Sequence, residues 1–362
     1  MWWIFTDHIP DNWIAQFSLR NFALCDATEI FVLLAGYAAG IAYGRSYIRF
    51  GWLYAGADVM RRAWTLYVAH IFLFVVFAAQ VSYSATALDR SDYLDEIHLD
   101  VLAEAPYRAM LEALLLSFQP AYLNILPMYV ALLSFFALLL PLLSRPLILG
   151  GMSFSLYVAT RAMGWNLPSW TDSGWYFNPL AWQLLFVIGA LLSQHGSRLR
   201  LPRRTMDVAA ASVVIVGVIV LWLVWPSDDL VARVPKIVTR ALLMIDKEGL
   251  HPMRLLSILA LTWLICRLIP FQAHWLRSRY AMPVILCGQH SLPVFCSGIF
   301  LSFLGRLAME AEGGGWAIQL FVNLAGVLLL VGIGGMASWY RDKGRMRADL
   351  PPVSQPSNVK IT

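Results

Sequence analysis

The fold of this protein is decided first by residues 28–44, which read Thr28-Glu29-Ile30-Phe31-Val32-Leu33-Leu34-Ala35-Gly36-Tyr37-Ala38-Ala39-Gly40-Ile41-Ala42-Tyr43-Gly44. A helix that crosses a bilayer needs about 20 mostly apolar residues, with a lower limit of about 17. Glycine recurs here at every fourth position, and small residues at that spacing let two helix backbones approach closely. The stretch therefore predicts a membrane helix that packs on a neighbouring helix through its glycines.

The composition of the whole chain also favours a membrane protein. Hydrophobic residues make up 59% of the 362 residues and charged residues 14%, whereas soluble domains have about 45–50% and about 25%. The net charge of +5 comes from short basic clusters between apolar runs. That arrangement orients a chain in a bilayer. We therefore expect a polytopic protein surrounded by membrane lipid, with no nucleic-acid partner.

Nine complete apolar segments follow one another along the chain, at residues 28–44, 62–82, 121–143, 146–163, 178–194, 207–225, 254–270, 281–305 and 316–338. Residues 1–6 resemble the distal end of a tenth segment. The predicted fold class is an all-α polytopic membrane helix bundle of about ten spans with the first one truncated. We expect residues 1–340 to form the integral-membrane domain and residues 341–362 a disordered cytoplasmic tail. Residues 226–253 are expected to include a short interfacial helix.

Basic residues predict the orientation of these spans. With ten spans, the loops after the second, fourth, sixth, eighth and tenth all carry arginine or lysine and lie on one side. Residues 83–107, on the other side, carry six acidic residues and one arginine. Because positive loops stay in the cytoplasm, both termini are expected there.

His8 is the leading candidate for chemistry. It lies between the truncated first segment and Pro10. Ionisable groups cost about 2.5–3.5 kcal/mol at the centre of a membrane helix, so those retained beside spans mark functional sites. Histidine acts as a general base near neutral pH. The alternative is an interfacial histidine that only hydrogen-bonds a neighbour.

For three charged residues near His8, the sequence supports a structural role and a functional role equally. Asp26 and Glu29 are three residues apart before an apolar run, which is the spacing of a helix capping box as well as of a carboxylate pair. Arg20 is suited either to binding an anionic group or to reaching the lipid headgroups.

Polar residues also occur at two later spans. Asn178 and Gln183 open the sixth span, where side-chain amides often join helices. His290 interrupts the ninth span between Gln289 and Ser291, so it is expected to face a cavity or another helix rather than lipid. The four cysteines have no metal-binding spacing, and we expect no metal.

Six motifs, taken together, resemble the OpgC family. In chain order they are His8-Ile9-Pro10, Arg20-Asn21-Phe22, Asp26-Ala27-Thr28-Glu29-Ile30-Phe31-Val32-Leu33-Leu34-Ala35-Gly36, Ile125-Leu126-Pro127-Met128-Tyr129, Phe177-Asn178-Pro179-Leu180-Ala181-Trp182-Gln183 and Gly288-Gln289-His290-Ser291-Leu292. The resemblance implies a bacterial inner-membrane O-acyltransferase related to the wider acyltransferase-3 group. Its founding members attach succinyl groups to osmoregulated periplasmic glucans. Acyl-CoA, in the first place succinyl-CoA, would be the co-substrate, with no bound cofactor.

The resemblance also assigns roles to residues. His8 matches an essential histidine of the wider group that lies about eleven positions after an arginine, and that arginine would precede Met1. We expect this arginine to be restored by an upstream start. The substrate-binding residues are expected among Arg20, Asn21, Asp26, Glu29, Asn178, Gln183 and His290. The CoA phosphates are expected to contact Arg45, Arg61 and Arg62. The oligomeric state stays open.

Two other functions remain open from the sequence. One is a transporter or flippase that moves a polar or lipid-linked solute without chemistry; such proteins bind at discontinuous helices and often contain inverted repeats. The other is an inactive truncated homologue. Acyl-CoA-dependent labelling of a glucan separates the enzyme from both.

Overall fold

A computed structural model describes residues 1–170, 173–198, 201–224, 245–270 and 272–348. Within these ranges the chain forms helices and no strands, which confirms the all-α class. The interfacial helix expected within 226–253 falls mostly outside the described ranges. The last helix continues to Ala348, so the tail predicted from residue 341 begins as helix, and residues 349–362 lie outside the description.

The first eight helices are α1 (Trp2–Asp7), α2 (Ala27–Phe50), α3 (Trp52–Ala87), α4 (Asp92–Ile97), α5 (Asp100–Glu104), α6 (Pro106–Leu114), α7 (Ile125–Leu139) and α8 (Pro146–Met163). They are followed by α9 (Pro179–His195), α10 (Arg203–Ile219), α11 (Pro252–Leu268), α12 (Met282–Gln289), α13 (Ser291–Ala311) and α14 (Trp316–Ala348). Short 3-10 turns occupy Trp13–Phe17, Leu19–Asn21, Leu140–Ser144, Gly196–Arg198 and His274–Arg277, and a π-turn occupies Val220–Val224.

Six helical stretches of the described chain are long and apolar enough to cross a membrane, namely Ala27–Phe50, Trp52–Ala87, Ile125–Ser144, Arg203–Trp222, Ser291–Ala311 and Trp316–Lys343. Each of the nine complete segments predicted from the sequence contains a helix, but the count of about ten spans is not confirmed. The helices α9 and α11 have 17 residues each, which is about 26 Å at 1.5 Å per residue, short of a hydrocarbon core of about 30 Å. The helix α1 has six residues.

The glycines of the opening stretch lie in the contact between α2 and α9. A methyl group added to Gly36 would lie 2.0 Å from the carbonyl oxygen of Phe186, and one added to Gly40 would lie 2.7 Å from that of Ala190. The contact is reciprocal, because a methyl group on Gly189 would lie 2.2 Å from the carbonyl oxygen of Leu33. The packing interpretation of this glycine repeat is therefore confirmed.

Arg306 on α13 fastens the segment between α3 and α7 to the bundle. Its guanidinium pairs with Glu96 at 2.7 Å and with Glu310 at 2.7 Å. The same guanidinium lies 4.9 Å from the ring centroid of Tyr93, and the Tyr93 hydroxyl donates to Glu310. These contacts fix the position of the chain that leads to residues 115–124.

Substitution of Gly36 by alanine is expected to lower the thermal unfolding temperature of the detergent-solubilised protein. The added methyl group overlaps the Phe186 carbonyl, and overpacking of this kind costs about 1–3 kcal/mol. Gly151→Ala in α8 is the matched control, since nothing lies within 4 Å of its added methyl group and removing a helical glycine stabilises by about 0.5–1 kcal/mol. Equal unfolding temperatures for Gly36→Ala and the unmodified protein would contradict the packing.

Candidate functional site

Two cavities meet beside α1. The polar cavity, of about 590 Å³, has walls that include Asp7, His8, Arg20, Asp26, Tyr122 and Lys247. The apolar cavity, of about 780 Å³, has walls that include Trp2, Phe31, Leu34, Arg62, Tyr129 and Gly288. Ile4 and Ala27 belong to both walls, so the two cavities adjoin each other at these residues.

The helix α1 is held in place by α13 and α14. Phe5 and Ile9 are 1% and 2% exposed. A methyl group on Gly326 of α14 would lie 2.1 Å from the Phe5 ring, and one on Gly305 of α13 would lie 3.1 Å from the Ile9 side chain. Glycine at these two positions therefore makes the room in which α1 fits.

The segment after α1 is fixed to α14 by side-chain amides. Asn12 and Asn323 exchange hydrogen bonds of 3.1 and 3.0 Å between their side chains. The backbone N–H of Trp13 donates to Oε1 of Gln319 at 2.8 Å. His8 thus lies in a part of the chain that is anchored on both sides.

One hydrogen bond determines which ring nitrogen of His8 can act as a base. Nδ1 of His8 is bonded to the backbone carbonyl of Ile4, and a carbonyl oxygen can only accept. Nδ1 therefore carries the proton in this arrangement, and Nε2 carries the lone pair. The Tyr122 ring contacts the imidazole edge-on, with centroids 4.8 Å apart and an interplanar angle of 71°.

Asp26 and Glu29 are both a helix cap and part of an ion-pair cluster. Asp26 Oδ1 accepts from the N–H of Thr28 at 2.7 Å, and Glu29 Oε2 accepts from the N–H of Asp26 at 2.9 Å, which completes the capping box. Arg254 reaches Glu29 at 2.6 Å and Asp26 at 3.3 Å, and Lys247 Nζ lies 2.6 Å from Asp26. The capping-box alternative is therefore confirmed, and the functional role of the two carboxylates stays a prediction.

Of these two carboxylates, only Asp26 lies in a cavity wall. Burial opposes ionisation of Asp26, but the charges of Lys247 and Arg254 outweigh it and hold the pKa of this carboxyl below its ordinary value. Glu29 is fully buried. Asp26 therefore places a negative charge in the wall of the polar cavity, and Lys247 and Arg254 pair with that charge.

Arg20 lies in the wall of the polar cavity, and its side chain is half exposed. Its Nε is 3.6 Å from Oδ1 of Asp7. Asp7 is thus directed toward Arg20 rather than toward His8, as expected for neighbours that point about 100° apart on a helix.

Five of the predicted substrate-binding residues, Asn21, Glu29, Asn178, Gln183 and His290, lie outside both cavity walls. Asn178 caps α9 by accepting from the N–H of Leu180 at 3.0 Å. Gln183 exchanges hydrogen bonds with Ser153, at 2.7 Å to the hydroxyl and 2.9 Å to the carbonyl. Asn21 donates to the carbonyl of Ala15 at 3.0 Å. The amides of Asn21, Asn178 and Gln183 take part in hydrogen bonds within the fold, and their substrate-binding role stays a prediction.

The apolar cavity includes only part of the predicted His290 region and of the basic cluster. The residues on either side of His290, Gln289 and Ser291, lie in the wall of the apolar cavity, but His290 does not. Among the three arginines expected at the CoA phosphates, Arg62 lies in that wall and Arg45 and Arg61 do not.

Several residues of the polar cavity had no signal in the sequence. Tyr122 and Lys247 lie in loops of mixed character, and their neighbours His8 and Asp26 are more than 100 residues away in the chain. Gln119 and Asn124 also lie in this wall, and Oε1 of the first and Oδ1 of the second have no hydrogen-bond partner among the described atoms.

Within the described ranges no group of three His, Cys, Asp or Glu side chains is arranged to hold a metal ion.

Comparison with known proteins identifies the family. A family model described as OpgC protein matches residues 1–342, so the chain belongs to the OpgC family. Neither the curated proteins nor the solved structures contain a match. Family membership and the six apolar helices together indicate a membrane protein with a glucan-modifying acyltransferase role.

Substitution of Arg254 by methionine is expected to destabilise the protein by about 3–5 kcal/mol, because it leaves Glu29 buried and unpaired. Adding Glu29→Met to it should recover much of that loss. Arg267→Met on the same helix is the control: its ion pair with Asp207 is partly exposed, and such surface pairs contribute about 0–1 kcal/mol. Thermal unfolding in detergent measures all three. Equal losses for Arg254→Met and Arg267→Met would contradict the buried cluster.

Proposed function

We propose that this member of the OpgC family is an inner-membrane O-acyltransferase that moves an acyl group, in the first place succinyl, from cytoplasmic acyl-CoA to a hydroxyl of a periplasmic glucan or related polysaccharide. The observation that carries the proposal is the arrangement of His8. Its Nδ1 is occupied by the Ile4 carbonyl, and its ring lies in the wall of the polar cavity. Nε2 of His8, which carries the lone pair, is therefore suited to take a proton from a bound hydroxyl.

The proposed reaction needs one base that also serves as an acid. His8 Nε2 takes the hydroxyl proton while the hydroxyl oxygen attacks the thioester carbonyl carbon. The carbon–sulfur bond then breaks, and the imidazolium returns its proton to the leaving thiolate. The products are the ester and free CoA, and His8 ends in its starting state.

The polar cavity suits a sugar as the acceptor. Trp170, Trp175 and Tyr176 lie in its wall, and aromatic rings offer apolar faces with polar edges to a sugar ring. Gln119 Oε1 and Asn124 Oδ1 lack donors; Asn124 stands at the start of α7 without capping it. Unpaired acceptors are costly, and a polyhydroxylated ligand can supply the missing donors after small side-chain rotations.

The apolar cavity suits the acyl-pantetheine arm of the donor. Its wall contains one arginine, Arg62, a residue type that binds phosphate well. The same wall reaches Ile4 and Ala27, which also border the polar cavity. In the proposed ten-span topology with both termini in the cytoplasm, the polar cavity would face the periplasm and the donor would enter from the Arg62 side.

A transporter remains the second candidate because one helix is discontinuous. The helices α12 and α13 are separated at His290, and broken helices beside a cavity are typical of transport sites. Purified protein in vesicles with radiolabelled succinyl-CoA and glucan separates the two. Label in covalently modified glucan supports the enzyme, whereas glucan translocation without label incorporation supports transport.

His8→Ala is expected to lower glucan acylation by at least about 100-fold, the size of a general-base contribution. Mass spectrometry of periplasmic glucans measures the product, and immunoblotting of membranes measures the amount of inserted protein. His274→Ala is the control, because this exposed histidine lies in neither cavity wall. Near-normal acylation by His8→Ala at normal expression would overturn the catalytic assignment.

Gly326→Ala is expected to reduce acylation without touching the site. The added methyl group overlaps the Phe5 ring and displaces α1, and misplacing a catalytic group by about 1 Å can cost about 100-fold in rate. Gly332→Ala on the same helix is the control, since nothing lies within 4 Å of its added methyl group. The same glucan assay measures both variants. Equal activities would show that the packing of α1 against α14 does not affect the rate of acylation.

A further inference from the structure

Tyr122 has a backbone conformation that bulky residues avoid. Its φ is +71°, in the left-handed region that favours glycine and, among other residues, asparagine, aspartate and histidine. A strained residue persists only where its surroundings impose the conformation, and such residues cluster at functional sites. Tyr122 lies in the wall of the polar cavity.

The chain around Tyr122 is held from both sides. The N–H of Ala121 donates to the carbonyl of Ile97 at 3.1 Å, and the N–H of Leu123 donates to that of Pro120 at 3.1 Å. Ile97 ends α4, and Glu96 in the same helix pairs with Arg306 of α13. The strain in Tyr122 is therefore maintained by contacts that reach the main bundle.

The strained conformation brings the Tyr122 ring against the ring of His8. The Ile4 carbonyl fixes one edge of the imidazole through Nδ1, but a single hydrogen bond leaves the ring free to turn about it. The Tyr122 ring, in edge contact at 4.8 Å and 71°, limits that rotation. Two contacts of different kinds thus define the direction of Nε2.

We propose that Tyr122 is a positioning residue, whose strained backbone holds its ring against His8 so that Nε2 of His8 points to the reacting hydroxyl. This inference rests on the proposed function only for its kinetic consequence. The hydroxyl group of Tyr122 is not needed for it, because the contact is made by the ring.

Leu116 provides an internal comparison. It belongs to the same connection between α6 and α7 and also has a positive φ, +62°, but it lies in neither cavity wall. Leu116 follows the end of α6, where a left-handed residue is a common way to terminate a helix. Strain in this connection is therefore not sufficient for a role at His8; the ring contact is the feature that matters.

The kinetic test compares Tyr122→Ala, Tyr122→Phe and Leu116→Ala in the purified protein. Tyr122→Ala should lower kcat by about 100-fold, the cost of a misdirected catalytic group, with KM for donor and acceptor changed by less than about twofold. Tyr122→Phe keeps the ring and should retain most of kcat, as should Leu116→Ala. A normal kcat for Tyr122→Ala, a rise confined to KM, or an equal loss for Tyr122→Phe would overturn the proposal.

A chemical test reads the position of His8 without any activity. Diethyl pyrocarbonate modifies neutral imidazole nitrogen, and mass spectrometry of the His8 peptide gives the rate. Removal of the packed ring should speed the modification in Tyr122→Ala, and the rates in Tyr122→Phe and Leu116→Ala should match that of the unmodified protein. An unchanged rate in Tyr122→Ala would overturn the contact. If His8→Ala were active, the proposed function would fail while this measurement would still decide the positioning role.

Discussion

Buried charge near a membrane has to be paired, and the cluster of Asp26, Glu29, Lys247 and Arg254 meets that requirement where α2 begins. Arg254 lies 225 residues after Glu29 in the chain, so the cluster joins the start of α2 to α11. The same carboxylates cap α2. One set of groups therefore fixes where α2 starts, which helix lies beside it, and where Lys247 meets the polar cavity.

The helices could be predicted because their signal is local. A run of apolar residues and a capping-box spacing are visible in the sequence, and α2 has both. The number of spans could not be predicted in the same way: α9 and α11 have 17 residues each, and shorter spans require either protein cover or a thinner bilayer. Length and composition alone therefore identify fewer than ten membrane-spanning helices in the described chain.

The candidate site could be predicted only in part, for a related reason. His8, Arg20 and Asp26 lie close together in sequence and do line one cavity. Asn178 and Gln183 carry equally polar side chains, but the structure uses them for a helix cap and for a helix–helix contact. Tyr122 and Lys247 enter the site through contacts that span more than 100 residues. No periodicity in the sequence marks such contacts.

The position of His8 depends on packing against α13 and α14. Phe5 in α1 and Ile9 just after it are both buried, Phe5 beside Gly326 of α14 and Ile9 beside Gly305 of α13. Gly305 and Gly326 leave the space for those side chains. Gly305 and Gly326 are thus a condition for the position of His8.

The partner of the imidazole suits the proposed chemistry. A carboxylate on Nδ1 would strongly stabilise the charged ring, and the neighbouring Asp7 is instead directed to Arg20. A backbone carbonyl stabilises that charge less, so the ring releases its proton more readily once the hydroxyl has attacked. In acyl transfer from a thioester the proton must return to the leaving sulfur within the same reaction. In its proposed role as the base, His8 has a neutral partner at Nδ1 and an aromatic neighbour, which favours taking a proton briefly rather than keeping it.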